Sequence, residues 1–398
     1  PREGADDVHA LGAIAMVSSR PELLSRVLVW ARAGSGMHGV RIFKRRRGSA
    51  AEGLVSCWHT VVVDDRLPSL PGSRQLACSA NASPREGPVA VVLKALAKLH
   101  GGFGLLEGGT VGEVLEDLTG GVSGKVRLAH LGPEAAWVRL RTLASEGHLI
   151  GVAFKPEHAA DGSGGDGDEG VLWRGGGGPV RGRPLVHPVV ELRETSLGLR
   201  FARLRRVWAA AACPREYEGP WSKHAAEWTD NPQAAAALGG RPPADGSYWV
   251  PFERLLRSFT TAYVCRLPER VESAPSALGE WGPCSAGGEV CPIAGGAWRA
   301  NPQFRLAAEG ACTAVVTLWL PDTLLGADGG ASSGGRRYQH PVALYVVRAS
   351  GDGRRRKLAL SASDVVAASA FACARSVSVE LSLDGDAVYT VIPCTLHP

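Results

Sequence analysis

The sequence lacks most of the features that would place it in a special class. No apolar run is long enough to cross a bilayer, and neither a signal-peptide pattern nor a zinc-ligand spacing occurs. A net charge of +5 is too small to argue for nucleic acid as a partner. The 9 cysteines form no C-x-x-C pair, and their odd number favours reduced thiols over a disulfide framework. We therefore expect a cytoplasmic protein with no nucleic-acid partner.

The residues that are present describe an ordinary globular chain. With 398 residues, of which 45% are apolar, it is long enough for two or three domains. The first residue is Pro1 rather than methionine, so we expect a piece of a longer protein, for example the cytosolic part of a membrane-anchored one. The densest aromatic stretch, residues 216–259, ends in four apolar residues at helical spacing: Phe252, Leu255, Leu256 and Phe259.

Helices and strands alternate in the N-terminal part of the chain. Asp6 or Asp7 can cap a first helix. Alternating apolar and β-branched residues over 39–68 predict a β-hairpin, with the basic residues 44–47 as its solvated tip. The glycine-rich stretch 161–183 is interpreted as a flexible insertion, because its carboxylates lack the ligand spacing of an EF-hand. After about residue 270, short strands separated by turn signals predict an antiparallel β-sandwich.

Several literal motifs resemble the calpain family of cysteine proteases. G-P-W-S-x-x-x-x-E-W followed by D-G-x-Y-W-x-x-F-x-x-L is similar to the end of the second half of a calpain core. V-V-x-D-D-R-L-P, A-K-L-x-G and E-D-L-T-G-G-V precede it in the family order. W-x-x-N-P-Q-F-R-L and the closing Y-T-V-I-P-C-T-L-H-P resemble the C2-like domain that follows the core, in plant-type calpains (phytocalpains) above all.

This resemblance implies a fold and a domain plan. The fold class is α+β, with a papain-like two-subdomain protease core followed by an antiparallel C2-like β-sandwich. The expected domains are a helical, nucleophile-side subdomain (1–121), a β-rich, histidine/asparagine-side subdomain (122–268) and the C2-like sandwich (269–398). Gly120 and Gly121 are the expected hinge between the subdomains, since glycine changes φ and ψ freely.

The same resemblance locates the catalytic positions, and none of them carries the residue that the chemistry needs. A papain-type protease uses a cysteine thiolate at a helix N-terminus, a histidine base, an orienting asparagine and an oxyanion-stabilising glutamine. The nucleophile position falls on Val8 and the oxyanion glutamine on Arg2. The histidine falls on Leu185 when counted back from the following strand, or on Arg183 when counted forward; the asparagine falls on Arg206. We therefore expect a pseudoprotease.

One alternative keeps the chain an enzyme. His187 reaches the histidine position with a two-residue shift, although we interpret it as an ordinary histidine at the edge of a loop. The rival hypothesis is an active calcium-dependent cysteine endopeptidase that uses a displaced cysteine together with His187.

Calcium binding is expected to be weakened or lost. By resemblance, Glu113 matches a ligand of the first calcium site of the family, and Glu216 and Asp245 match ligands of the second. Lys223 and Ser247 replace two acidic ligands of that second site, and an ammonium group repels Ca²⁺. The carboxylates that remain are equally consistent with ordinary surface residues.

The leading functional hypothesis is a catalytically silent calpain homologue that binds a polypeptide substrate or a partner protein. A third hypothesis is a calcium- or lipid-responsive membrane module formed by the sandwich. Its basic segment 354–357 would favour anionic lipid, but a solvated hairpin loop is the simpler interpretation.

Overall fold

The structure is a computed structural model. It describes residues 8–32, 34–47, 54–69, 72, 88–106, 109–154, 186–206, 217–243, 245–267, 275–290, 296–322, 338 and 340–397. The described fold mixes helices with antiparallel sheets. The chain divides into two compact units, one of residues 1–44 with 58–271 and one of residues 45–57 with 272–398. The expected boundary between residues 121 and 122 lies inside the first unit and stays a prediction.

Eight α-helices are described, all of them in the first unit. They are α1 (Val8–Ser18), α2 (Pro21–Val27), α3 (Pro88–His100), α4 (Val111–Thr119), α5 (Pro133–Ser145), α6 (Glu227–Asp230), α7 (Pro232–Ala237) and α8 (Phe252–Ser258).

The described strands of the first unit form two sheets. A three-stranded sheet has the order β1-β2-β3, and a six-stranded sheet has the order β4-β9-β5-β6-β7-β8. The strands are β1 (Leu28–Arg32), β2 (Met37–Arg47), β3 (Leu54–Asp64), β4 (Val122–Arg127), β5 (Leu149–Phe154), β6 (Val186–Glu194), β7 (Arg200–Arg205), β8 (Ser247–Pro251) and β9 (Phe259–Arg266). The outer end of the β2–β3 hairpin, residues 45–57, belongs to the second unit.

Helix α4 shows how local sequence sets an element boundary. Thr110 and Glu113 form a reciprocal capping box, in which each side chain accepts the backbone N–H of the other residue. The helix ends at Gly120, whose φ of 70° is in the left-handed region that glycine adopts without strain. The backbone at the next residue, Gly121, packs so closely that an added Cβ would lie 2.3 Å from the Arg266 carbonyl oxygen.

Two apolar clusters form the core of the first unit. One joins α1, α3 and α4 to the inner face of β2 and β3 and to one face of the six-stranded sheet. The other lies on the opposite face of that sheet, where Trp137 of α5 and Phe252 of α8 meet edge to face at 4.9 Å. The aromatic stretch of the sequence forms a third, smaller cluster around Trp221, Trp228 and Trp249.

The described strands of the second unit form a four-stranded sheet of order β10-β15-β12-β13 and a two-stranded sheet of β11 and β14. Side chains of both sheets share one apolar cluster. The strands are β10 (Phe304–Ala307), β11 (Cys312–Trp319), β12 (Val342–Arg348), β13 (Val365–Ala368), β14 (Ser376–Leu383) and β15 (Val388–Thr395). The predicted run of antiparallel strands after residue 270 is therefore confirmed.

Both basic segments were expected to be solvated; Lys44 and Lys357 are buried instead, whereas Arg354, Arg355 and Arg356 are exposed as expected. Lys44 is 1% exposed, and Arg45 places its guanidinium 3.6 Å from the centre of the Trp319 ring. In the segment 354–357, Lys357 is buried and pairs with Asp364 at 3.3 Å, and Arg356 donates to two backbone carbonyls. A long basic side chain can lie inside the fold when it has a partner there. A run of basic residues in the sequence does not reveal that partner and therefore predicts solvent exposure.

Within the described ranges, no helix is both long and apolar enough to cross a membrane.

Candidate functional site

Helix α1 carries the position that the motif assigns to the nucleophile. The helix begins at Val8, and its sequence VHALGAIAMVS is apolar on nearly every side. Ala10, Ala13, Ile14 and Met16 are each at most 1% exposed, so α1 is a core helix. Arg2, at the oxyanion position, lies outside the described residues. No sulfur nucleophile is available from Val8.

Strand β6 follows the segment in which a catalytic histidine was expected. Val186 pairs with Ala153 of β5, and both belong to the core cluster that contains α1. The next residue, His187, pairs with Val152 of β5, which belongs to the cluster on the other side of the sheet. Because successive strand residues point to opposite faces, His187 faces away from α1.

His187 is a core residue of strand β6, so its interpretation as a loop-edge histidine is wrong. It is fully buried, with the Tyr248 hydroxyl 3.3 Å from Nδ1 and the Phe259 ring centre 5.7 Å away. Burial, helped by the nearby Arg206 cation, lowers the pKa of His187 to about 3. Such a histidine is neutral near pH 7 and is poorly matched to general acid–base work there.

The described cysteine of the six-stranded sheet lies on the wrong face to pair with His187. Cys265 of β9 is fully buried in the cluster that contains α1, with Sγ 3.2 Å from the Thr119 hydroxyl. Ala262 of the same strand pairs with Val152, as His187 does, and Ala262 lies three positions before Cys265. An odd separation places the thiol and the imidazole on opposite faces. Burial also raises the pKa of Cys265 to about 12, which keeps it a thiol.

Arg206, at the position of the orienting asparagine, follows the last residue of β7. Its backbone N–H donates to the Gly246 carbonyl at 2.8 Å and so extends the β7–β8 pairing. Its side chain is half-buried and adds a positive charge near His187. Leu185 and Arg183, the two candidates for the histidine position, lie outside the described residues.

Glu113, the expected ligand of a first calcium site, is committed to the start of α4. Its carboxylate accepts the Thr110 N–H at 3.3 Å as part of the capping box, and the residue is 8% exposed. Ser123 of β4 hydrogen-bonds to Glu116 of α4, and Lys125, two residues further along the strand, points to the same side. The Lys125 ammonium interacts electrostatically with the Glu113 carboxylate. A nearby ammonium competes with a metal ion for this carboxylate.

Asp245, an expected ligand of a second calcium site, forms a turn instead. Its carboxylate accepts the Ser247 N–H at 2.8 Å. Partial burial raises the pKa of Asp245, but the hydrogen bonds from Ser247 and the cations Arg205 and Arg203 outweigh it and leave the pKa below its ordinary value. Glu216 lies outside the described residues.

Comparison with known sequences identifies the family. Residues 4–266 match the family described as calpain family cysteine protease. The chain belongs to the calpain family. It is 32% identical over 356 residues to the calpain-type cysteine protease DEK1 of Arabidopsis thaliana and 30% identical over 357 residues to the calpain-type cysteine protease ADL1 of rice. Each alignment covers 86% of this chain but only 15% of the plant relative.

The family match extends to animal calpains. Calpain-5 of mouse is 33% identical over 229 residues, which is 53% of this chain and 33% of the relative. The expected membership of the calpain family and the resemblance to its plant-type members are therefore confirmed. The chain spans about a seventh of the length of the plant relatives that it matches.

Glu113 and Asp245, the two candidate ligands among the described residues, do not fit a calcium site in this calpain-family chain. Ca²⁺ takes six to eight oxygen ligands, most of them from carboxylates and carbonyls gathered at one point. Among the described residues, no three acidic, histidine or cysteine side chains gather in this way. Glu113 and Asp245 each accept a hydrogen bond from a backbone N–H, and each interacts electrostatically with basic side chains: Lys125 for Glu113, and Arg205 and Arg203 for Asp245.

Sequence reasoning missed a buried charged cluster in this calpain core. Lys44 of β2 donates to Asp117 of α4 at 2.7 Å, and His100 at the end of α3 lies 3.2 Å from the Lys44 ammonium. His100 Nε2 is 3.6 Å from the Asp117 carboxylate, and all three residues are at most 7% exposed. The sequence did contain one sign that Lys44 is buried, because strand alternation places it on the same face as the apolar residues Val40 and Ile42.

Proposed function

We propose that this chain is a catalytically silent calpain homologue that binds polypeptides without cleaving them. In this proposal a papain-like core of two subdomains is followed by a C2-like β-sandwich. The observation that carries the proposal is that helix α1, where the family motif places its nucleophile, begins with Val8. Valine has no ionisable or nucleophilic atom, so the covalent step has no starting point.

The geometry of the six-stranded sheet argues against the rival, an active endopeptidase that uses His187. His187 is fully buried on the face turned away from α1, and its lowered pKa leaves it a weak base. Cys265 faces the other way and stays protonated. Cys265 and His187 therefore do not form a thiolate–imidazole pair.

We expect the purified protein to show no calcium-stimulated cleavage of casein. Peptide mapping after treatment with an epoxysuccinyl cysteine-protease inhibitor should find no cysteine whose modification depends on calcium. The Val8→Cys variant restores a thiol but leaves the other family positions altered, so it should still not cleave casein.

Two controls separate this result from contamination. Val8→Ala should leave any trace of cleavage unchanged, since a copurified protease does not depend on residue 8. Calcium-stimulated cleavage that survives purification and is lost when one native cysteine is replaced by serine would show that the rival is correct.

We also propose that the first unit does not use calcium as its switch. Glu113 accepts the Thr110 N–H and interacts electrostatically with the Lys125 ammonium, and the cations Arg205 and Arg203 help to lower the pKa of Asp245. After removal of divalent ions with EGTA, 5 mM CaCl₂ (a concentration on the order of the weakest calcium modules) should shift the thermal midpoint no more than the same concentration of MgCl₂. A saturable shift specific to Ca²⁺ would contradict this, and Glu113→Gln would then test the first site.

We also propose that the second unit contains the C2-like β-sandwich and that the protein is cytoplasmic. A cytoplasmic location is consistent with reduced thiols. Arg354, Arg355 and Arg356 are exposed and could contact anionic lipid, whereas Lys357 is buried and paired with Asp364.

A further inference from the structure

Helix α4 and strand β4 lie side by side, joined by the turn at Gly120 and Gly121. Ser123 of β4 donates a hydrogen bond from its hydroxyl to the Glu116 carboxylate of α4 at 2.7 Å. An added Cβ on Gly112, the second residue of α4, would lie 2.6 Å from the Ser123 hydroxyl oxygen. The chain therefore turns back on itself, and β4 has reached the N-terminal end of α4 by Ser123.

Lys125 continues along β4 past the start of α4. Residues two apart on a strand point to the same face and lie about 6.6 Å apart along it, so Lys125 lies on the Ser123 side, beyond Gly112. The Glu113 carboxylate is located at the same end of the helix, because it reaches back to accept the Thr110 N–H at 3.3 Å. The Lys125 ammonium and the Glu113 carboxylate therefore face each other at the N-terminal end of α4.

The surroundings of the Lys125 ammonium agree with this geometry. Its Nζ lies 5.4 Å from the centre of the Tyr263 ring, and Tyr263 is the residue of β9 that pairs with Lys125 in the sheet. Burial lowers the pKa of Lys125, whereas the Glu113 carboxylate raises it and the Arg127 guanidinium lowers it. The ammonium thus interacts with one ring face and with one carboxylate.

An ammonium held beside Glu113 supplies the positive charge that a bound cation would supply. Glu113 matches a calcium ligand of the family, but it already interacts with the Thr110 N–H and the Lys125 ammonium. A Ca²⁺ ion at this point would have to displace the ammonium and gather about six to eight oxygen ligands. Lys125 needs no such set of ligands, because it is covalently part of β4.

We propose that Lys125 is a built-in cation that takes the place of Ca²⁺ beside Glu113 and holds β4 against the start of α4 without a metal. The proposal rests on the proposed function, in which the first unit does not use calcium as its switch, and it adds the residue that makes the metal unnecessary. The contact spans the turn at Gly120 and Gly121, so the two sides of this turn stay together at any calcium concentration.

A double-mutant cycle on the whole chain tests the pair. Glu113→Gln removes the charge but keeps an acceptor for the Thr110 N–H, since glutamine also completes a capping box. We expect Lys125→Met to raise the equilibrium constant of unfolding in urea by about twofold to fivefold in the wild-type background. In the Glu113→Gln background the same substitution should have almost no effect. An equal effect of Lys125→Met in both backgrounds would overturn the proposed pair.

Charge reversal tests the replacement of calcium. In Lys125→Glu two carboxylates face each other with no cation between them, so Ca²⁺ should now stabilise the fold. With a Kd of about 1 mM, typical of weak calcium modules, about 5 mM CaCl₂ should lower the equilibrium constant of unfolding by about fivefold. The same concentration of MgCl₂ should have a smaller effect, because Mg²⁺ loses its water reluctantly. The calcium response should disappear in Lys125→Glu/Glu113→Gln.

Arg257→Glu is the matched control, because it makes the same charge change at an exposed residue of α8. It should leave the protein as insensitive to calcium as the wild type. Absence of a calcium response in Lys125→Glu, or an equal response in Arg257→Glu, would overturn the built-in cation and leave the proposed function standing. A calcium-specific response of the wild type itself would contradict the proposed function, so the two failures are distinguishable.

Discussion

Replacing Asp117 with alanine lowers the free energy of unfolding by about 3–5 kcal/mol, the cost of leaving one charge of a buried pair without its partner. Asp117 accepts a hydrogen bond from Lys44 at 2.7 Å, and both side chains are at most 3% exposed. His100 cannot replace the carboxylate, because an imidazole beside an ammonium offers no negative charge. Urea denaturation of wild type and variant at pH 7.5 measures the difference.

Two further variants test whether burial is the cause. Asp64 and Lys94 form an ion pair of similar length, 2.6 Å, but in an exposed position, so Asp64→Ala should have little effect on stability. The double variant Lys44→Met/Asp117→Leu removes both charges and should recover part of the loss, because an apolar replacement of a buried pair is often tolerated. If Asp117→Ala and Asp64→Ala have equal effects, the buried cluster does not contribute as we infer.

The wild-type protein loses stability on acidification below pH 6.5, and His187 is responsible for a large part of the loss. Its pKa is about 3 in the fold and near 6.5 when unfolded, so between these values the unfolded chain binds a proton that the folded chain does not. Stability therefore falls as the pH decreases, by about 1.4 kcal/mol per unit from this residue. The accumulated loss at pH 3 is on the order of 4 kcal/mol.

This prediction is checked by the slope of unfolding free energy against pH from 7.5 to 4.5. His187→Asn should flatten the slope, since an amide does not titrate, even if the variant is less stable at pH 7.5. His130→Asn, at an exposed histidine, is the matched control and should leave the slope unchanged. A wild-type slope that His187→Asn does not alter would show that the buried imidazole does not resist protonation.

Much of the fold could be predicted from the sequence because the relevant signals are local. Helical spacing from Val89 to Leu99 predicts α3, and the alternation over 39–68 predicts the β2–β3 hairpin. The spacing of Phe252, Leu255 and Leu256 predicts α8, although Phe259 begins β9 instead of ending the helix. Phe259 satisfies both patterns, because an apolar side chain at that point is buried in either element.

The details of the candidate site depend on contacts between distant residues, and these were harder to predict. Nothing near Lys44 in the chain shows that Asp117 lies beside it, 73 positions later. The face of His187 depends on the register of β6 against β5, which a sequence does not display. Val8, Leu185 and Arg206 were assigned to catalytic positions from the family motif alone. That these are the catalytic positions of the fold therefore stays a prediction.

The placement of His187 on its sheet also limits which side chains the imidazole can meet. Sliding β6 by one residue would turn the imidazole toward α1, but it would also invert every other side chain of the strand and break its pairing with β5 and β7. An imidazole directed at α1 would therefore have to come from a different position of the chain. The register of the whole strand, rather than any single contact, keeps His187 on its face.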